Sequence, residues 1–206
     1  MTRDLLYELM STRRSVRRFK AETPSRESIE RLIESAITAP SAGNQQPWQF
    51  LVVANKGMIV ELASAVREAA IKVAEKVRPS FRAAFRNYAE YFSRFENAPV
   101  VIVVLWREHS ILSRMVDESP SSVDRTSIAQ MEYASGLVSA SLALQNLLLM
   151  AHASGLGATA MTGPLLADDR VRSLLSIALP WRVAAFVPVG FPDEQPSPTG
   201  RKPADR

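Results

Sequence analysis

Cysteine is absent from the 206-residue chain, so disulfide staples, thiolate zinc sites and a thiol nucleophile are excluded. Histidine is nearly absent. The two copies, His109 and His152, stand far apart with no compact carboxylate cluster beside either, which argues against a metal site and against a histidine general base. Uninterrupted apolar runs are short as well. The longest apolar tract, residues 128–150, is broken by Gln130, Glu132, Gln145 and Asn146, whereas a spanning helix needs about 20 predominantly apolar residues. It reads as a buried helix, and no membrane association is expected. The first 19 residues mix acids, bases and apolar side chains without the apolar core of a secretory signal, which makes the cytoplasm the expected compartment. No internal repeat or dividing linker is visible, so residues 1–206 read as one domain.

Apolar residues recur three and four apart in residues 4–10 and 25–38 (Ile29, Leu32, Ile33, Ala36 and Ile37 in the second), the spacing of helices with one buried face. Ser25 is the expected N-cap of the second, and Pro40 stops it. Residues 50–54 and 99–106 are short, continuous, β-branched runs that predict strands covered on both faces. Residues 58–77 and 79–95 are helical in pattern. Residues 107–126 are polar and serine-rich, which predicts a mobile excursion suited to a lid. Residues 128–152 are apolar or small on nearly every side (Ala134, Gly136, Ala140, Ala143), so this helix is expected to be surrounded by protein.

Gly155 caps that helix; a short strand at 158–161, a short helix at 167–176 and a last strand at 183–189 follow. Asp168 and Asp169 suit the positive end of the short helix. Residues 192–206 form an extended proline-rich tail. Gly155-x-Gly157-x-x-Ala160 matches a dinucleotide fingerprint by letters only, because it follows a helix and opens a strand instead of the reverse. Helices flanking apolar strands give a layered α/β or α+β fold.

Two stretches carry chemistry. Arg13-Arg14-Ser15-Val16-Arg17-Arg18-Phe19 sets four arginines and a hydroxyl into six positions, a density suited to phosphate because guanidinium forks match phosphate oxygens. A solvated basic loop is the competing explanation. Ala39-Pro40-Ser41-Ala42-Gly43-Asn44-Gln45-Gln46-Pro47-Trp48 is dense in amides and hydroxyls and runs into a strand, so it can place donors and acceptors at a pocket edge, although these are also ordinary turn residues. Trp48 and Trp181 read as core or interface residues.

In this order the two stretches resemble the nitroreductase family, whose members open with an RRSxRxF-like phosphate motif followed by a PSxxNxQPW-like loop. The segments Gly155–Gly163, Val187–Pro192 and Gly200–Pro203 are similar to the family's flavin-side strand, terminal strand and basic C-terminal signature. The resemblance implies an α+β nitroreductase-like fold, a central mixed sheet flanked by helices in a homodimer with FMN at the subunit interface. It implies that Arg13, Arg14, Ser15 and Arg17 hold the FMN phosphate and ribityl end with Arg201 joining from the tail, while Arg18 and Lys202 are solvated. Pro40, Ser41 and Asn44 would lie against the flavin from the partner subunit, and backbone groups of Met161, Thr162 and Gly163 would face the ring near N5.

The implied activity is ping-pong transfer of reducing equivalents from NAD(P)H to a small oxidised acceptor such as a nitroaromatic or quinone, the flavin carrying the chemistry with no catalytic side chain assigned. Two departures stand out: Thr162 occupies a place where several relatives have an acid, and little chain follows the basic signature where relatives commonly continue into an exchanged strand. The alternative is a basic nucleic-acid-binding protein using residues 13–20 and the arginines of 67–94, consistent with the net charge of +4. Against it, no nucleic-acid motif appears, and Glu68, Glu75 and Glu90 interleave with those arginines.

Overall fold

In the computed structural model, which describes residues 2–108, 110–116 and 122–203, four strands form one sheet: β1 (Trp48–Val53), β2 (Val100–Trp106), β3 (Gly157–Ala158) and β4 (Arg182–Gly190). Their order is β1-β2-β4-β3, and each neighbouring pair is antiparallel. Parallel pairing is confined to a single bridge between Ser15 and Ala158 beyond β3. The β-branched run of β2 is buried at every position, as a central strand with both faces covered should be. β1 departs from the expectation drawn for it. It lies at the sheet edge and leaves Val52 exposed, because only one neighbour and part of one face cover it.

The two faces of the sheet divide the core. Val100, Ile102, Val104 and Trp106 turn to one side and meet α2 (Arg26–Ala36) and α5 (Ser122–Ala153). Val101, Val103 and Leu105 turn to the other, where α3 (Lys56–Lys76) and Phe92 and Phe95 cover them. This is the period of two expected of a strand buried on both sides. α2 begins where Ser25 accepts a hydrogen bond from the Ser28 N–H, the N-cap read from the sequence. α1 (Arg3–Thr12) buries no residue at all.

The segment 79–95, expected as one helix, is instead a 3₁₀ turn, α4 (Arg82–Ala89) and a second 3₁₀ stretch, Glu90–Asn97. α6 (Asp168–Leu174) starts with the predicted acid pair. α5 ends in a Schellman motif: the Leu156 N–H reaches the Ala151 carbonyl and the Gly155 N–H the His152 carbonyl, with Gly155 at φ +72°. α5 is covered on one side only. Ala140, Ala143, Leu147 and Ala151 are fully buried, but Met131, Val138 and Leu142 face outward. By length and composition it is apolar enough to cross a membrane, yet its buried face is part of the sheet's core.

Candidate functional site

The chain leaves α1 at Arg13 and runs beside β3. The Val16 N–H donates to the Ala158 carbonyl at 3.2 Å, and Val16 is buried against Gly157, where a Cβ would come within 2.6 Å of its Cγ1. With Val16 turned inward, Arg13, Arg14, Ser15 and Arg17 are left partly exposed around it and Arg18 fully exposed. Burial, then the nearby charges of Arg201 and Arg14, hold the Arg13 guanidinium below its ordinary pKa. The C-terminal tail thus returns to the arginine motif.

One carboxylate reaches the edge of this cluster. Glu194 accepts from the backbone N–H of Arg17 at 2.5 Å and of Arg18 at 3.1 Å, and it pairs with the Arg18 side chain. Among the described residues, Arg13, Arg14 and Arg17 form no ion pair. Arg14 is oriented by its donation to the carbonyls of Ser11 and Arg13, and Arg17 stands 5.9 Å from the Tyr91 ring centre. Behind the motif, the Thr12 hydroxyl donates to the Glu8 carbonyl at 2.7 Å, so it accepts from His152 Nε2 at 3.0 Å, which fixes the proton on that nitrogen. Burial, then Arg13 and Arg14, push the His152 pKa down.

The segment Met161–Gly163 adjoins this cluster through β3, and Phe92 packs on Gly163, whose added Cβ would meet Phe92 Cδ1 at 2.4 Å. The expected strand at 158–161 is reduced to β3 and a separate Met161–Phe186 bridge. The Met161 N–H donates to the Phe186 carbonyl at 2.8 Å and the Met161 carbonyl accepts from the Phe186 N–H at 2.9 Å, so the N–H of Met161 is already engaged. Thr162 is exposed, and its N–H has no acceptor among the described residues.

Pro40, Ser41 and Asn44 lie elsewhere. Their loop is held by the Ser41 hydroxyl, which accepts from the Gln46 N–H, and by the Ala42 N–H donating to Ser139 on α5. Gly43, Asn44 and Gln46 all have positive φ, a strained backbone of the kind that collects at functional loops. Ser139 precedes His152 by 13 residues on α5, roughly 20 Å at 1.5 Å per residue. One chain therefore brings Arg13, Arg14 and Arg201 together, with Gly163 packed on Phe92 next to the Tyr91 that Arg17 faces, and leaves Ser41 and Asn44 at a distance.

Sequence reading missed Glu194, Tyr91 and the Thr12–His152 bond, all long-range contacts with no local pattern to announce them. Of residues 107–126, His109 and 117–121 lie outside the described residues; 111–116 are exposed, include a 3₁₀ turn, Leu112–Arg114, and touch α5 through the Ser113 N–H bond to Glu132, and α5 itself begins at Ser122. A cleft of about 660 Å³ between α3 and α4 is lined by Ala70, Ile71, Ala74 and Phe85 and holds none of the residues nominated for flavin binding. In the same region Arg67 is paired with Glu96, and Arg82 donates to the Val77 and Glu75 carbonyls. These arginines do not form a free basic face.

Residues 10–191 match the nitroreductase family. The chain belongs to that family. An NADH dehydrogenase of Thermus thermophilus is 27% identical over 94% of this chain and 90% of its own length. A BluB-like flavoprotein from Clostridium difficile superposes with a TM-score of 0.85 at 23% identity, covering 97% of this chain and 95% of that one. An iodotyrosine deiodinase bound to FMN and 3-iodo-L-tyrosine superposes at 0.74 and 25% identity, covering 97% and 96%. The α+β arrangement described above is the nitroreductase fold, and the family is one of oxidoreductases with diverse reactions.

Proposed function

We propose that this chain is an FMN-dependent oxidoreductase that carries reducing equivalents from NAD(P)H to a small oxidised acceptor, a nitroaromatic, quinone or similar compound, by a ping-pong mechanism. The observation that carries the reading is the approach of Arg14 and Arg201 to Arg13, with no ion pair on Arg13, Arg14 or Arg17 among the described residues. Crowded guanidinium groups favour a dianion at their centre, and charge-assisted bonds to phosphate are about twice as strong as neutral ones. The residues fit FMN: phosphate on the arginines and Ser15, the ring against the exposed Thr162 and Gly163 backbone. When bound, FMN supplies the hydride chemistry. The protein's part is to anchor the phosphate, hold the ring with backbone N–H groups of Thr162 and Gly163, and keep one face open.

The separation of Pro40, Ser41 and Asn44 from the arginines supports a homodimer in which a second copy supplies that loop to the FMN at the interface. The outward face of α5 and the unburied α1, with Leu5, Tyr7 and Met10 exposed, offer the surface for it. Residues 1–206 are read as one domain working in the cytoplasm, with an extended tail from 192. The test is reconstitution. Purified protein titrated with FMN should bind it with a flavin absorbance shift, then oxidise NADH or NADPH only when menadione or a nitroaromatic is present. Colourless protein that ignores FMN but retards a labelled DNA duplex at moderate salt would overturn the reading in favour of nucleic-acid binding.

A further inference from the structure

A buried acid on α5 takes no part in the arginine site. Glu132 is 5% exposed, and its carboxylate accepts from the backbone N–H of Ser113 at 3.1 Å, with the backbone of Ile111 and Leu112 also favouring its charge. Burial alone would raise its pKa, but these donors outweigh burial and hold the carboxyl below its ordinary value. An ionised carboxylate in this position is a tether, since the Ser113 N–H donates to its charge directly and the neighbouring backbone of Ile111 and Leu112 favours that charge.

The neighbouring contacts run along the same face of α5. At Gly136 the helix comes so close to residue 107 that an added Cβ would lie 2.6 Å from the Arg107 carbonyl. At Ser139 it takes the Ala42 N–H. Positions 132, 136 and 139 follow the i, i+4, i+7 spacing of one helical stripe. Tyr133 stacks edge-on against Trp106, and Arg182 pairs with Glu108 at 3.0 Å. One rigid helix therefore fastens both the 110–113 segment and the loop around Gly43. The two meet: Ile111 Cδ1 lies 3.8 Å from the position of a Cβ on Gly43. Beyond the tether the segment turns Leu112, Met115 and Val116 to solvent, an apolar edge beside a loop rich in amides.

We propose that Glu132 is a positioning residue that fixes Ile111–Ser113 as the acceptor-side wall of the active site, setting which organic acceptors fit. This rests on the flavin reading above, in which the 41–44 loop borders the flavin. Glu132 touches neither cofactor nor substrate; it acts through the backbone it holds. A flat apolar acceptor meets Ile111 and its neighbours as a fixed surface, and larger acceptors depend on that surface more than small ones.

The test uses Glu132→Gln, which keeps the shape and removes the charge, alongside Ser113→Pro, which deletes one of the donated N–H groups from an exposed position. Hydrogen exchange of the Ile111–Ser113 amides reads the tether without any redox assay, and should quicken about tenfold or more in Glu132→Gln. In the FMN-loaded enzyme, KM for menadione should rise severalfold in both variants, with a smaller rise for 1,4-benzoquinone. FMN affinity and the rate of flavin reduction by NAD(P)H should stay as in the wild type. Unchanged exchange would overturn the tether. Faster exchange with unchanged acceptor KM values would overturn the role in selectivity, as would an equal loss of FMN affinity. A wild type inactive with every acceptor would refute the flavin reading and leave the exchange result to judge the tether alone.

Discussion

Replacing Arg13 by alanine separates cofactor anchoring from stability. Arg13 is partly buried, stands near Arg201 and Arg14, and has no carboxylate partner among the described residues. In the ligand-free protein its charge is therefore opposed by burial and by like charges, so its removal should leave the melting temperature of the FMN-free form unchanged or slightly higher. In the proposed FMN complex the same charge would meet a phosphate. Losing a charge-assisted hydrogen bond costs about 1.5–3 kcal/mol, or roughly tenfold to a hundredfold in FMN affinity. Fluorescence titration gives the affinity, and thermal melts with and without FMN give the two stabilities. Riboflavin, lacking the phosphate, should bind the wild type weakly and be little affected by the substitution. An Arg13→Ala protein that binds FMN as tightly as the wild type, or that loses riboflavin and FMN equally, would remove the phosphate from this cluster. Weakened NADPH saturation with intact FMN binding would mark it as a nicotinamide-nucleotide contact.

Gly157→Ala should force Val16, and with it Ser15 and Arg17, away from β3, lowering stability by about 1–3 kcal/mol and weakening FMN binding. Gly155→Ala, with open space around its Cβ but φ of +72°, should cost stability without touching FMN affinity; melts and titrations of the pair check both. His152 is held below its ordinary pKa of 6.5 in the folded protein, so its contribution to stability is complete above 6.5 and is lost as pH falls through that value towards the lower folded one. Melts between pH 7 and 5 should show this acid loss in the wild type and less of it in His152→Gln, and saturating FMN should shrink the difference because a phosphate offsets Arg13 and Arg14. If the proposed dimer forms through the outer face of α5, Val138→Asp, at a position 56% exposed there, should convert it to monomer in sedimentation and weaken FMN binding with it. A fully dimeric variant would place the interface elsewhere.

What could be read from the sequence was what local chemistry determines. The β2 run is buried on both faces because its side chains are apolar on both, and Ser25, Gly155 and the Asp168–Asp169 pair each act through the nearest helix end. The arginine motif was legible because its density is itself the signal. Contacts closed by the fold were not legible. The Glu194 carboxylate reaches the Arg17 N–H across 177 residues, and nothing around Glu194 in the chain distinguishes it from a solvated acid in a tail. Residues 107–126 look unstructured because serines and charges show no period. The contacts that fasten Arg107, Glu108 and Ser113 come from Gly136, Arg182 and Glu132 on other elements. Glu132 itself was noted only as an interruption in an apolar helix. A charge placed inside such a helix must be satisfied by something, and the same residue that argued against a membrane span marks where α5 receives the backbone packed against it.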